Sequence, residues 1–115
     1  MTASANAAQP PVPAPLDYLA DSRHRWLFEN QYLRVYDVRI PAGETTGFHR
    51  HAYDTVTVRV SGGLIAIQPQ GGPWGKTERI EPGVAFSADS KKPVGHRVRN
   101  DGTTEYHVIL VQLLR

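Results

Sequence analysis

From Asn30 onward the sequence consists of short segments in which apolar and polar residues alternate, each closed by glycine or proline. In Thr55–Val60, TVTVRV, the three valines share one face of an extended chain and the polar residues share the other. Such segments, separated by turns such as Asp101-Gly102, are typical of a sandwich or barrel. The pattern predicts an all-β fold. The predicted strands are Tyr32–Ile40, Thr55–Val60, Gly63–Gln68, Lys76–Ile80, Val84–Ser87, His96–Asn100 and Glu105–Leu114.

The segment before Asn30 does not follow this pattern. Residues 1–15 are rich in alanine and proline and carry no charge, so they bury too little apolar surface to offset the entropy lost on ordering. We therefore expect a disordered or extended arm over residues 1–15, followed by one domain over residues 16–115. Leu16–Phe28, at the start of this domain, is compatible with a short helical turn or with an extended chain.

The composition argues against several classes of function. Thirteen Lys and Arg against eleven Asp and Glu give a net charge of only +2, and the basic residues are scattered, which does not favour nucleic-acid binding. The sequence has no signal-peptide pattern and no apolar run near the ~20 residues that cross a bilayer. The absence of cysteine fits a reducing compartment. We expect a cytoplasmic protein that binds a small molecule, with no nucleic-acid or membrane partner.

Two of the five histidines, His49 and His51, are separated by one residue and are candidate metal ligands. Residues i and i+2 of an extended chain project from the same face, so the two imidazoles can chelate one ion. His96, at the start of a later predicted strand, is the natural third ligand and would leave coordination positions open. His24 is expected to face solvent. His107 is expected more often to be packed or hydrogen-bonded in the core than to act as a base.

These residues form a pattern that resembles the two motifs of the cupin family. The first motif has the form G-x5-H-x-H-x3-E-x6-G and the second ends in H-x3-N. The matching residues are Gly43, His49, His51 and Gly62 in the first motif, and Pro93-Val94-Gly95-His96 with Asn100 in the second. The resemblance covers about residues 30–114. It implies a single cupin domain, a jelly-roll β-barrel with a metal held in its mouth by His49, His51 and His96.

The sequence departs from the family pattern at the glutamate ligand, whose position is occupied by Thr55. Asp54 is one residue out of register, so strand alternation turns it away from the site. The resemblance therefore implies a three-histidine site, similar to that of cupin dioxygenases that cleave thiols or β-diketones. The second motif is also longer than the family spacing, which an insertion at Ser90-Lys91-Lys92 would absorb.

Four further residues are candidates for the pocket or for substrate contacts: Thr55, Arg59, Tyr53 and His107. Thr55 is expected to line the pocket, because a neutral hydroxyl is a poor metal ligand. Arg59 shares the face of the histidines and can bind a substrate carboxylate, or else form a structural ion pair or lie at the surface. Tyr53 is expected at the mouth. Trp74, in a glycine-rich loop, is either a lid or a packing plug.

Three neutral imidazoles leave the charge of a divalent ion uncompensated, which favours an anionic or chelating substrate. The leading hypothesis is a metal-dependent enzyme, with Fe²⁺ and dioxygen chemistry foremost, although imidazole also binds Zn, Ni, Mn, Co and Cu. The sequence identifies no catalytic acid or base. The alternatives are a non-catalytic cupin module that binds a small molecule or a metal, and a metal-free barrel. We also expect a homodimer, because the core is small and Trp26-Leu27-Phe28 needs to be covered.

Overall fold

The computed structural model describes residues 23–92 and 94–114 of the chain, which form two antiparallel sheets. The predicted all-β architecture is confirmed, and the strand ends agree with the predicted ones to within one or two residues. A 3-10 turn, Asp89–Lys91, lies where the sequence suggested an insertion. The strands are β1 (His24–Glu29), β2 (Leu33–Ile40), β3 (Thr55–Arg59), β4 (Gly63–Pro69), β5 (Glu78–Ile80), β6 (Gly83–Ser87), β7 (His96–Asn100) and β8 (Tyr106–Leu113).

The segment preceding Asn30 is extended over His24–Glu29, as strand β1, and the possible helical turn, whose spacing lies in residues 16–20, falls outside the described residues. The predicted arm over residues 1–15, together with residues 16–22, lies outside the described residues. The division into an arm and a single domain therefore stays a prediction.

One sheet has five strands in the order β1-β2-β8-β3-β6, and the other has three in the order β5-β4-β7. The chain between β2 and β3 belongs to no named strand, but it runs along β7 through two isolated bridges, Thr45 with Arg99 and His49 with His96. The segment that carries the first motif is thus attached to the three-stranded sheet. This places it opposite the strands of the larger sheet.

The apolar core lies between β2 and β8, whose alternating residues meet in register. Tyr36 is opposite Leu110 and Val38 is opposite Val108, and these four side chains are buried together with Ile40. Because alternate residues of each strand point inward, the period-two pattern of the sequence builds one wall of a cavity from these residues.

In strand β3 the polar side chains face inward and the apolar ones face outward, the reverse of the arrangement in β2 and β8. Its polar residues Thr55, Thr57 and Arg59 face the cavity, whereas Val56 and Val58 face outward. On the neighbouring edge strand β6, Val84 and Phe86 pair with these valines and are 72% and 63% exposed. The larger sheet therefore has a polar strip on its inner face and an apolar strip on its outer face.

Asn100, the last residue of the H-x3-N pattern, has a structural role. Its side chain is fully buried, donates to the backbone carbonyls of Ile40 and Thr104, and accepts from the amide of Gly102, each over 2.9 Å. These bonds tie the turn between β7 and β8 to the end of β2. They fix the end of the strand that begins with His96.

Candidate metal site

Four histidine rings from three parts of the chain meet between the two sheets. His24 comes from β1, His49 and His51 from the segment before β3, and His96 is the first residue of β7. The ring centroids of His49 lie 5.0 Å from those of His24 and His51, and 4.9 Å from that of His96. The centroid of His51 lies 5.2 Å from that of His24 and 5.3 Å from that of His96. The structure thus brings the three histidines predicted as ligands together.

One ring nitrogen from each of His24, His49 and His51 lies within 4.8 Å of the other two. Three donor atoms at this separation are within reach of one ion, so the group could bind a metal. His96 packs against His49 and His51 but is not a member of this nitrogen group.

The prediction that His24 faces solvent is wrong. Its ring is half-buried, contacts the ring of Tyr36 with centroids 5.5 Å apart, and lines the cavity. His24 lies in a basic run of the kind that usually faces solvent. The residues that it contacts in the cluster lie far along the chain. No local signal in the sequence could have identified it.

Backbone contacts hold His49 and His96 side by side. The amide of each donates to the carbonyl of the other, over 2.9 Å and 2.8 Å. A Cβ at Gly95 would lie 2.6 Å from the carbonyl oxygen of His49, so this close approach requires glycine just before His96. The Nδ1 of His49 lies 2.8 Å from the carbonyl oxygen of Gly47. Because a carbonyl only accepts, Nδ1 carries the proton and Nε2 is the donor atom for a metal.

Burial keeps at least two of the histidines uncharged. It lowers the pKa of His51 well below its usual range, and the neighbouring rings of His24, His49 and His96 lower it further. Burial is also the main cause that lowers the pKa of His96 to about 4, with a further contribution from His49 and an opposing one from Asp89. Both imidazoles are therefore neutral at pH 7, the form that ligates metals.

Asp89, which the sequence analysis did not single out, supplies a buried carboxylate beside the histidines. Its oxygens accept hydrogen bonds of 2.6 Å from the hydroxyls of Thr55 and Ser87, and Lys92 Nζ lies 3.0 Å away. Thr55 occupies the glutamate position of the family motif, so the negative charge comes here from the turn after β6 instead of from β3. Thr55 and Asp89 are far apart in the sequence, and no local pattern connects them.

Thr55 and Arg59 lie in the wall of a cavity of about 210 Å³ that the histidines also line. Thr55 is 1% exposed. The guanidinium of Arg59 interacts with the hydroxyl of Tyr106, and the Nε of Arg59 is buried with no hydrogen-bond partner among the described residues. The apolar part of the wall is formed by Val38, Ile40, Ile67, Val98, Val108 and Leu110.

Tyr53 and His107, the other two candidates, are not in the cavity wall. The guanidinium carbon of Arg34 lies 5.9 Å from the ring centroid of Tyr53. His107 points to the outer face of β8, because alternation directs its neighbours inward, and its Nε2 lies 2.6 Å from Oδ1 of Asp37. The structure thus gives His107 the hydrogen-bonded structural role that was the alternative to a base.

Trp74 and Asp54 also lie away from the cavity. Trp74 packs under the guanidinium groups of Arg97 and Arg99, 5.1 Å and 4.2 Å from its ring, on the outer side of β7. It is therefore a packing residue and does not close the cavity as a lid. Asp54 accepts hydrogen bonds from the amide and hydroxyl of Ser90, at 3.1 Å and 2.5 Å, and faces away from the histidines as alternation predicts.

Comparison with solved structures identifies the fold. A cupin domain from Bordetella pertussis Tohama I is 24% identical, with a TM-score of 0.68 over 82% of this chain and 94% of that one. An RmlC-like cupin from Methanocaldococcus jannaschii, described as a double-stranded β-helix, is 11% identical, with a TM-score of 0.59 over 78% of this chain and 77% of that one. The DMSP lyase DddQ from Ruegeria pomeroyi is 20% identical, with a TM-score of 0.55 over 79% of this chain and 47% of that one.

These likenesses show that the chain has the cupin jelly-roll fold, as the sequence motifs predicted. No protein-family model matches the sequence, and no curated protein is significantly similar to it. The fold and the histidine group together define a cupin-type barrel that could hold a metal ion. No helix within residues 23–92 and 94–114 has the length and apolar character needed to span a membrane.

The lowered pKa values predict that metal-free protein loses stability in mild acid. Between the ordinary histidine pKa of 6.5 and the pKa of about 4 for His96, the unfolded chain takes up protons that the folded chain does not. The free energy of unfolding should therefore fall as the pH is lowered through this range, by about 3 kcal/mol for His96 alone. Urea unfolding in EDTA at several pH values measures this. His96→Gln should reduce the slope, and a free energy of unfolding that is constant from pH 7 to 4 would contradict the assignment.

Proposed function

We propose that this chain is a cytoplasmic metal-dependent cupin enzyme that acts on a small anionic molecule. The observation that carries the proposal is the group of imidazole nitrogens from His24, His49 and His51, within 4.8 Å of one another and at the wall of a cavity of about 210 Å³. The cavity is smaller than a typical drug-binding pocket, so its ligand is a compact molecule. The similarity of the barrel to a DMSP lyase is consistent with catalysis on this fold.

The donor set fits a divalent transition metal. The buried imidazoles are uncharged, and His49 presents Nε2 because Nδ1 is bonded to a carbonyl. His49 and His51, which belong to the nitrogen group, are the proposed ligands together with His96, whose ring centroid lies 4.9 Å from that of His49 and 5.3 Å from that of His51. Fe²⁺ is favoured over Zn, Ni, Mn, Co or Cu because the proposed reaction uses dioxygen. When bound, the ion would supply a Lewis acid and the one-electron chemistry that dioxygen requires.

Arg59 is the proposed anchor for a substrate carboxylate. It lines the cavity, and its buried Nε has no hydrogen-bond partner in the part of the chain that the structure describes. Arg59 lies four positions after Thr55, which is at the histidine end of β3, so about 13 Å of backbone separates the two, and the arginine side chain shortens this distance. A molecule of a few carbon atoms, with a carboxylate at one end and a metal-binding group at the other, would span the cavity.

The second candidate function is a non-catalytic module that binds a small molecule or a metal. Asp89 is the only carboxylate among the described residues of the cavity wall, and three donors already engage it. Asp89 is therefore not free to act as a general base. This observation favours binding without turnover, and oxygen consumption separates the two functions.

We further infer that the chain is a homodimer. The outer face of the larger sheet carries an apolar strip that includes Val84 and Phe86, 72% and 63% exposed, next to the outward valines of β3. Trp26 and Phe28 of β1, at the opposite edge of the sheet, are also about half exposed, at 54% and 52%. A second copy packed on the outer face would bury the apolar strip.

The ligand assignment predicts that protein purified without chelator contains close to one divalent transition metal per chain. His49→Ala, His51→Ala and His96→Ala should each lower the metal content sharply, because each removes a donor. Inductively coupled plasma mass spectrometry measures it. His107→Ala is the matched control, since this histidine points to the outer face and should leave the content unchanged. Full occupancy in all three variants would refute the ligand assignment.

The enzyme hypothesis predicts oxygen consumption by iron-loaded protein with at least one compound from a panel of thiols, β-diketones and small hydroxy or keto acids. For a carboxylate substrate, Arg59→Gln should raise KM about 10- to 100-fold without changing iron content, because a charge-assisted hydrogen bond is lost. Arg99→Gln, on the outer side of β7, is the control and should leave KM unchanged. No consumption by protein shown to hold Fe²⁺ would favour the binding module.

The dimer hypothesis predicts a single species of twice the chain mass in sedimentation equilibrium at tens of micromolar, a concentration at which an interface of standard size holds. Replacing the exposed side chain in Phe86→Lys should shift the protein toward monomer, because a charge would be buried in an apolar interface. A wild-type monomer at this concentration would rule out a dimer of useful stability.

A further inference from the structure

We propose that His24 is an additional ligand of the same metal ion and that, through it, metal binding fastens strand β1 to the barrel. The inference rests on the proposed metal site and adds a consequence for the fold. The ion would control whether the first described strand is docked.

Strand β1 is held by its ladder with β2 and by two ion pairs, Arg25 with Asp37 and Glu29 with the buried Arg34, but it buries little of its own surface. Among the described strands it lies at the edge of the larger sheet and pairs only with β2. None of its residues is fully buried, Trp26 and Phe28 are about half exposed, and the register with β2 shifts between these two aromatic residues. Strands with few buried side chains and one open edge are the first to open in local unfolding.

His24 is the residue of β1 whose side chain reaches the histidine cluster between the sheets. It pairs with Val38, contacts the ring of Tyr36, and places a ring nitrogen within 4.8 Å of those of His49 and His51. The ion pair between Arg23 and Glu44 also joins the start of β1 to the segment before β3, but it is exposed and contributes little. His24 is thus the point at which an ion could join β1 to the rest of the site.

A metal ligand on a strand that can open couples metal binding to the opening of that strand. If His24 binds the ion only when β1 is docked, the factor by which His24 strengthens metal binding equals the factor by which the metal suppresses opening of β1. Loss of even an outer-shell contact weakens metal binding about 10- to 100-fold, so we expect a coupling of about 10-fold or more. The same factor should therefore appear in two independent measurements.

The test uses the full chain, with Zn²⁺ as a redox-inert probe. Hydrogen exchange detected by mass spectrometry would follow residues 24–29 with and without Zn²⁺, and calorimetry would give the Zn²⁺ dissociation constant. In the wild type, Zn²⁺ should slow exchange in β1 about 10-fold or more. In His24→Ala this effect should disappear and the dissociation constant should rise by the same factor. His24→Gln, which keeps a polar side chain of similar size, should behave like His24→Ala, and His107→Ala should behave like the wild type.

The outcomes separate this inference from the proposed function. If Zn²⁺ binds wild type and His24→Ala equally tightly, or slows exchange in β1 equally in both, the inference is overturned and the metal site stands. If Zn²⁺ does not bind the wild type, both the inference and the proposed function fail. If the dissociation constant rises but exchange in β1 does not respond to Zn²⁺ in the wild type, His24 affects the ion without fastening the strand, and the inference is again overturned.

Discussion

The antiparallel bridge between His49 and His96 is the contact on which the rest of the site depends. It exchanges two backbone hydrogen bonds between the segment before β3 and the start of β7, and Gly95 allows this approach because any Cβ there would meet the carbonyl of His49. The bridge brings the two histidine motifs together, although they are widely separated in the sequence. It acts together with Asn100, which ties the other end of β7 to β2. The bridge and the hydrogen bonds of Asn100 thus position the imidazoles, which a small apolar core alone would not hold in place.

The polarity of β3 explains how a barrel of this size can hold a cavity. Its inward residues are polar and its outward residues are valines, so the interior near β3 is not filled by apolar side chains. The charges in this space are compensated at one end, where Asp89 accepts hydrogen bonds from Thr55 and lies beside Lys92. At the other end, the buried Nε of Arg59 has no such partner among the described residues. This asymmetry supports the proposal of an anionic ligand, and the apolar outer strip supports the proposal of a dimer.

Much of the fold could be predicted from the sequence, because alternation and turn residues are local signals that barrels with short connections obey. The convergence of His49 and His51 follows from their spacing, and the position of Thr55 on the cavity wall follows from alternation along β3. The role of Asp89 could not be predicted, because its bond to Thr55 joins residues 34 positions apart. His24 could not be predicted either, because its partners in the cluster lie far along the chain and its strand shows little apolar periodicity. His107 shows the limit of residue type as a guide, because one step along a strand moves a side chain to the opposite face.

The histidines between the two sheets are proposed to hold a single metal ion. Anomalous diffraction at the zinc absorption edge, from crystals of the zinc-loaded protein, tests it most directly. The predicted result is one strong peak in each chain, about 2.0–2.1 Å from imidazole nitrogens of the cluster that contains His49 and His51. Zinc bound only at surface carboxylates or at His107, with no peak between the histidines of the cluster, would contradict it.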